Sequence, residues 1–195
     1  MALLRAVGLK RPYEPKPRFM HYAGAVEGEC FIFAGMTVDF LKTKEELSST
    51  IEVFDQYLEQ WRALKTTGSP PKGLCAGGCC FSPSGDLYVY GGLDEFGCLS
   101  GLYKLTSLEW SQLSAESDTN CPMSKSGCGM VCFNNSKKIA IIGGNGPFPS
   151  SGPPQPGSSF IKNEHFTDGC GWTNEIHFFD AEECKYSTSH CVQAN

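Results

Sequence analysis

The chain has 195 residues, 41% of them hydrophobic, with 21 acidic against 16 basic side chains and a net charge of −5. That apolar content supports a packed core rather than a disordered chain, and the mild acidity excludes a dedicated nucleic-acid binder. No apolar run reaches the length of a signal peptide or a membrane span, so membrane association is not expected.

Residues 1–16 read as a basic tail, with Arg5, Lys10, Arg11 and Lys16 against the single acid Glu14. Mitochondrial presequences share that bias, but a short solvated arm is the commoner explanation. Pro12, Pro15 and Pro17 mark its end. Short segments rich in β-branched and aromatic residues then predict strands at 21–26, 30–35, 49–55 and 60–65. Glu27-Gly28-Glu29 supplies the first hairpin turn, and residues 42–47 predict one helical turn in the long connection. Pro70-Pro71 punctuates a boundary. Strands are predicted next at 75–82, 86–92, 101–106 and 109–114, with Ser82-Pro83-Ser84-Gly85 as a hairpin. After Pro122 they are predicted at 128–134, 138–143, 174–180 and 185–190, with a turn at Asn134-Asn135-Ser136.

These twelve strands form three copies of one pattern, about 17–70, 71–121 and 122–191, with 192–195 as a short tail. In each copy a strand ends in glycine (Gly35, Gly91-Gly92 or Gly143-Gly144), a second strand follows, and then a large ring: Trp61, Trp110 or Tyr186. The spacing is within reach of the ~50-residue repeat of some propellers. Residues 145–173 interrupt the third copy between its second and third strands. They carry Pro147, Pro149, Pro153, Pro154 and Pro156. Loops of this length are usually functional or disordered. The first half reads as disordered or extended, and 160–172, with its aromatics, as packed.

The 11 cysteines are irregularly spaced, and no secretory signal precedes them. They are expected to be reduced thiols of a cytoplasmic or nuclear protein, with Cys80 and Cys132 packed as small apolar residues between sheets. A zinc site would have to recruit His165, Cys170, His177, Cys184, His190 and Cys191. None of these forms a C-x-x-C knuckle, so no metal is expected. Catalytic patterns are also missing: there is no G-x-S-x-G elbow and no H-E-x-x-H pair. Gly143-Gly144-Asn145-Gly146 leads into prolines rather than the helix a phosphate loop needs. His21 and His177 read as structural histidines. No enzyme activity and no cofactor are expected.

Each repeat resembles a kelch repeat: Pro17-Arg18-x-x-His21 at the opening, Tyr90-Gly91-Gly92 in the middle and Trp110 near the end. Gly68-Ser69-Pro70-Pro71 resembles the linker of host-cell-factor-like kelch proteins. Lys44-Glu45-Glu46-Leu47 and the pair Gly143-Gly144-Asn145-Gly146-Pro147-Phe148-Pro149 and Gly171-Trp172-Thr173-Asn174-Glu175-Ile176-His177 resemble kelch substrate receptors of cullin-RING ubiquitin ligases. The resemblance implies an all-β chain of about three four-stranded antiparallel blades, forming an open, partial propeller. It implies binding residues at Trp172, Lys125, Phe148 and Asn174. Such receptors grip the carboxyl terminus of a target with arginines from later repeats; here Arg62 is the only arginine after residue 18. The implied function is a protein-interaction module for proteins or peptides, in the manner of a ligase substrate receptor. Alternatives are a metal-dependent kelch enzyme and a truncated fragment without a function of its own. Three blades cannot close. Self-association, or pairing with another kelch chain, is therefore expected, through outer faces of the first and third blades, whose strands carry residues such as Phe31, Phe33, Ile141 and Phe178, with the side each takes left open by the sequence.

Overall fold

The structure is a computed structural model that describes residues 13–37, 50–72, 75–115, 118, 120–133, 137–148, 158–164 and 169–188. The basic tail before residue 13, the helical turn at 42–47, the turn at 134–136 and the proline run at 149–157 lie outside the described residues. The described chain is all-β. No helix in it is long and apolar enough to cross a membrane.

Three four-stranded antiparallel meanders follow one another along the chain. The first contains Tyr22–Val26, Glu29–Phe33, Thr50–Asp55 and Gln60–Lys65. The middle one contains Gly78–Phe81, Leu87–Tyr90, Leu102–Thr106 and Glu109–Ser114. The third contains Gly129–Cys132, Lys138–Ile142, Ile176–Asp180 and Lys185–Thr188. All twelve predicted strands are present, most trimmed by a residue or more at their ends. The linker adds Thr67–Gly68, which pairs parallel with Glu109–Ser114 and ties the first connection to the middle sheet.

The sheets stack face to face. Side chains alternate across a strand, and the run Leu87-Tyr88-Val89-Tyr90 uses both directions. Leu87 and Val89 pack with Phe33, Ile51 and Val53 of the first sheet. Tyr88 and Tyr90 pack with Ile139, Ile141 and Phe179 of the third. A strand covered on both faces reads as a continuous apolar run, and all four residues are buried. Trp110 lies 5.2 Å from the Phe33 ring and fills the outer gap between the first two sheets. Tyr186 does the same between the other two, with its hydroxyl 2.8 Å from Ser114 Oγ. Trp61 differs: it packs on Phe54 on the open side of the first sheet.

The stacking decides the sides that the sequence left open. Phe33 and Ile141 sit between sheets, and Phe31 packs against the first cluster. Phe178 does lie on the outer side, opposite in alternation to buried Phe179. Sequence period fixes which residues share a face, not which face meets a neighbour. Cys80 and Cys132 pack against the second cluster as expected.

The repeat extends to the backbone. Met20, Ala76 and Gly127, each just ahead of a first strand, all have positive φ, at 55°, 59° and 62°. They are bonded in series: Ala76 N–H donates to Met20 O at 2.8 Å, and Gly127 N–H donates to Ala76 O. The glycine marks follow suit, with Gly91 and Gly92 at 67° and 112°, and Gly143 and Gly144 at 62° and 105°. In the first copy Ala34 takes the first place of the pair at φ 55°, with Gly35 at 89°.

Candidate interaction surface

Beyond the glycine end of each second strand the chain makes a short ribbon. Met36–Thr37 pairs with Arg18–Phe19. Leu93–Asp94 pairs with Gly97–Cys98. Asn145–Pro147 pairs with Cys170–Thr173, which also pairs with Phe160–Lys162. Because the lead-in residues Met20, Ala76 and Gly127 bond to one another, the three ribbons stand at the same end of the stack. Isolated bridges Cys75–Leu93 and Ser126–Asn145 pin the second and third ribbons to those lead-ins.

The ribbons display apolar side chains. Asp94 Oδ1 accepts hydrogen bonds from Phe96 N–H at 2.8 Å and Gly97 N–H at 3.1 Å, and this turn carries Phe96 at 89% exposure. On the third ribbon Trp172 pairs with Ile161, so both lie on one face, at 49% and 66% exposure. The opposite face bears Gly146 and Gly171. A Cβ on Gly146 would meet Ser124 O, and one on Gly171 would meet the Phe160 ring, so small residues let this face seat closely. Phe160 and the half-exposed Phe148 meet there edge to face, 4.7 Å between centroids. Asn174 Oδ1 accepts Ser159 N–H at 2.7 Å, which closes the base of the ribbon.

The expected binding residues therefore separate. Trp172 is presented to solvent. Phe148 is partly exposed, on the other face of the ribbon. Asn174 holds backbone. Lys125, expected as a binding residue, is completely buried, with Nζ 3.8 Å from Glu175 Oε2. His177 Nε2 lies 3.4 Å from the same oxygen. Burial pushes Lys125 below its ordinary pKa, and the Glu175 carboxylate partly offsets this. Lys125 is enclosed because its segment passes over both double glycines: its carbonyl crowds Gly91 and its Cδ crowds Gly144. His177 is buried, whereas His21 is exposed and leans its Cβ on Gly35. Of the zinc set, His165, His190 and Cys191 lie outside the described residues. Among the described residues no three His, Cys, Asp or Glu side chains gather as a metal site.

Phe96 and Ile161 were missed in the sequence. An aromatic at the apex of Asp94-Glu95-Phe96-Gly97, where turn residues normally leave a polar tip, was the available signal.

A cleft of about 600 Å³ opens at the opposite, hairpin end, lined by Ser82, Asp86, Tyr88, Lys104, Phe133 and Lys137 among others. Its charges are mutually paired, Lys104 Nζ with Asp86 at 2.9 Å and Lys137 with Glu182. It presents few groups free to grip a ligand, and the ribbon end is the better candidate. Compared with known proteins, the chain matches no family model and no curated protein.

Proposed function

We propose that this chain is a protein-interaction module, three kelch-type blades of a propeller, that takes an apolar peptide segment on its ribbon end. The observation that carries the reading is the placement of Phe96, Trp172 and Ile161 on ribbons at one end of the stacked sheets. Exposed aromatics on a fixed scaffold are the side chains that anchor protein partners. Capture of a terminal carboxylate calls for fixed arginines. Among the described residues both arginines are engaged, Arg62 with Glu29 and Arg18 with Glu52. This favours internal apolar segments over chain ends. The narrower role, presenting targets to a ubiquitin ligase, rests on the resemblance around Gly171 and Trp172. Binding of a peptide array by the wild type and by Trp172→Ala, each checked for folding, tests the proposal. Selective loss in the variant supports it, and unchanged binding overturns it.

A further inference from the structure

The third sheet repeats the design of the other two but, among the described residues, lacks their cover. The registers align Phe33, Tyr90 and Ile142 as the last ladder residues of the second strands, opposite Tyr22, Gly78 and Gly129. Phe33 and Tyr90 are buried under the next sheet, at 2% and 0% exposure, whereas Ile142 is 40% exposed. Around it lie exposed Val131 and Phe133, the latter with its ring 6.0 Å from that of Phe178.

The first sheet shows the converse. Its Phe54–Trp61 pair holds the place of Leu105–Trp110 and Phe179–Tyr186. Those later pairs are buried under the preceding sheet, but neither Phe54 nor Trp61 is. The lead segment reaches Glu52 on this face through Tyr13 and Arg18. Cys30, Phe54, Trp61 and Ala63 remain at least partly exposed. The chain thus carries the two halves of an interface that it already makes twice within itself.

We propose that the third sheet of one chain stacks on the outer face of the first sheet of a second copy. A twofold axis then satisfies both faces of both chains and gives a closed ring of six sheets. The internal contacts set the register. Phe81 lies against Gly24, and Cys80 lies beside Cys132. The next pair in that series is Val131 with Ala25 of the second copy. The lead-in bonds continue likewise, from Met20 N–H of the second copy to Gly127 O. These faces are separate from the ribbon end, so the inference does not depend on the proposed function.

Light scattering across a dilution series of the full chain should show a particle of twice the 21.2 kDa chain mass at micromolar concentration. Ile142→Asp should weaken the pairing about tenfold or more, by placing a charge where an apolar contact forms. In a mixture of Val131→Cys and Ala25→Cys chains, diamide should oxidise the two thiols to one intermolecular disulfide, the diamide taking up the two electrons and two protons. Neither variant alone, nor the wild type, should give this product. Because the mixture keeps Ile142 intact, it decides the matter even where Ile142→Asp fails to fold. A folded wild type at the single-chain mass throughout, open-ended polymers, or no disulfide between Val131→Cys and Ala25→Cys chains would each overturn the proposal.

Discussion

The carbonyl oxygen of Lys125 occupies the space that a Cβ on Gly91 would need. This close approach, together with φ of 67°, is why the second strand of the middle sheet ends in glycine. Gly91→Ala is expected to cost about 2 kcal/mol or more, from left-handed strain plus overpacking. Gly85 has φ of 84° but nothing within 4 Å of its Cβ position. Gly85→Ala should cost only the backbone strain, about 1 kcal/mol. Urea denaturation of both variants makes the comparison, and equal losses would count against the close-approach account.

The two tryptophans of the matched outer strands should separate sharply. Trp110 is buried between sheets, so Trp110→Ala should lose about 3–5 kcal/mol. Trp61 packs on Phe54 at an open face, and Trp61→Ala should lose about 1 kcal/mol in the monomer. Thermal unfolding at a concentration too low for the proposed pairing reads this difference.

Acid should destabilise the chain through its turn aspartates. Burial alone would raise Asp86, but hydrogen bonds from Lys104, Thr106 and Ser84 outweigh it and hold the carboxyl below its ordinary 3.8. Backbone N–H groups of Glu183 and Glu182 lower Asp180 likewise. A carboxyl depressed in the folded state contributes stability that is fully present above its unfolded pKa. That stability is lost as pH falls through the folded value. Denaturant midpoints should therefore be steady above about pH 5 and fall below about pH 4, and Asp86→Asn should flatten the fall.

Thiol reactivity should follow burial. Burial, followed by the neighbouring Cys132 and Cys79, pushes Cys80 up to about 12, and burial raises Cys128. Cys30 and Cys184 are exposed. At concentrations too low for the proposed pairing, alkylation at neutral pH with mass-spectrometric mapping should label Cys30 and Cys184 first, and Cys80 and Cys128 only on unfolding. Protein denatured without reductant should yield all 11 thiols.

The strands were legible because each is a short apolar run bounded by glycine, proline or a charge pair, and because the pattern recurs. Gly35, Gly91, Gly92, Gly143 and Gly144 marked strand ends in the sequence and all hold positive φ. Ala34 gave no such signal, since its left-handed backbone is dictated by its place in the repeat and not by its side chain. The small ribbons were too short for periodicity to show. The burial of Lys125 was likewise hidden: a lysine in a connecting segment reads as solvated until the segment is seen to cross two strand ends. Trp172 was singled out through a resemblance; Phe96 and Ile161, which share its end of the stack, were visible only once the sheets were in place.

The most direct test of the interaction surface compares its two ends. Phe96→Ala and Trp172→Ala alter the ribbon end, and Tyr57→Ala alters an exposed hairpin tip of the first sheet. Peptides selected by the wild-type chain should bind the two ribbon variants at least about tenfold more weakly and the Tyr57→Ala variant unchanged, as read by fluorescence anisotropy on folded protein. Equal binding by all three variants, or loss confined to Tyr57→Ala, would contradict the ribbon end as the site.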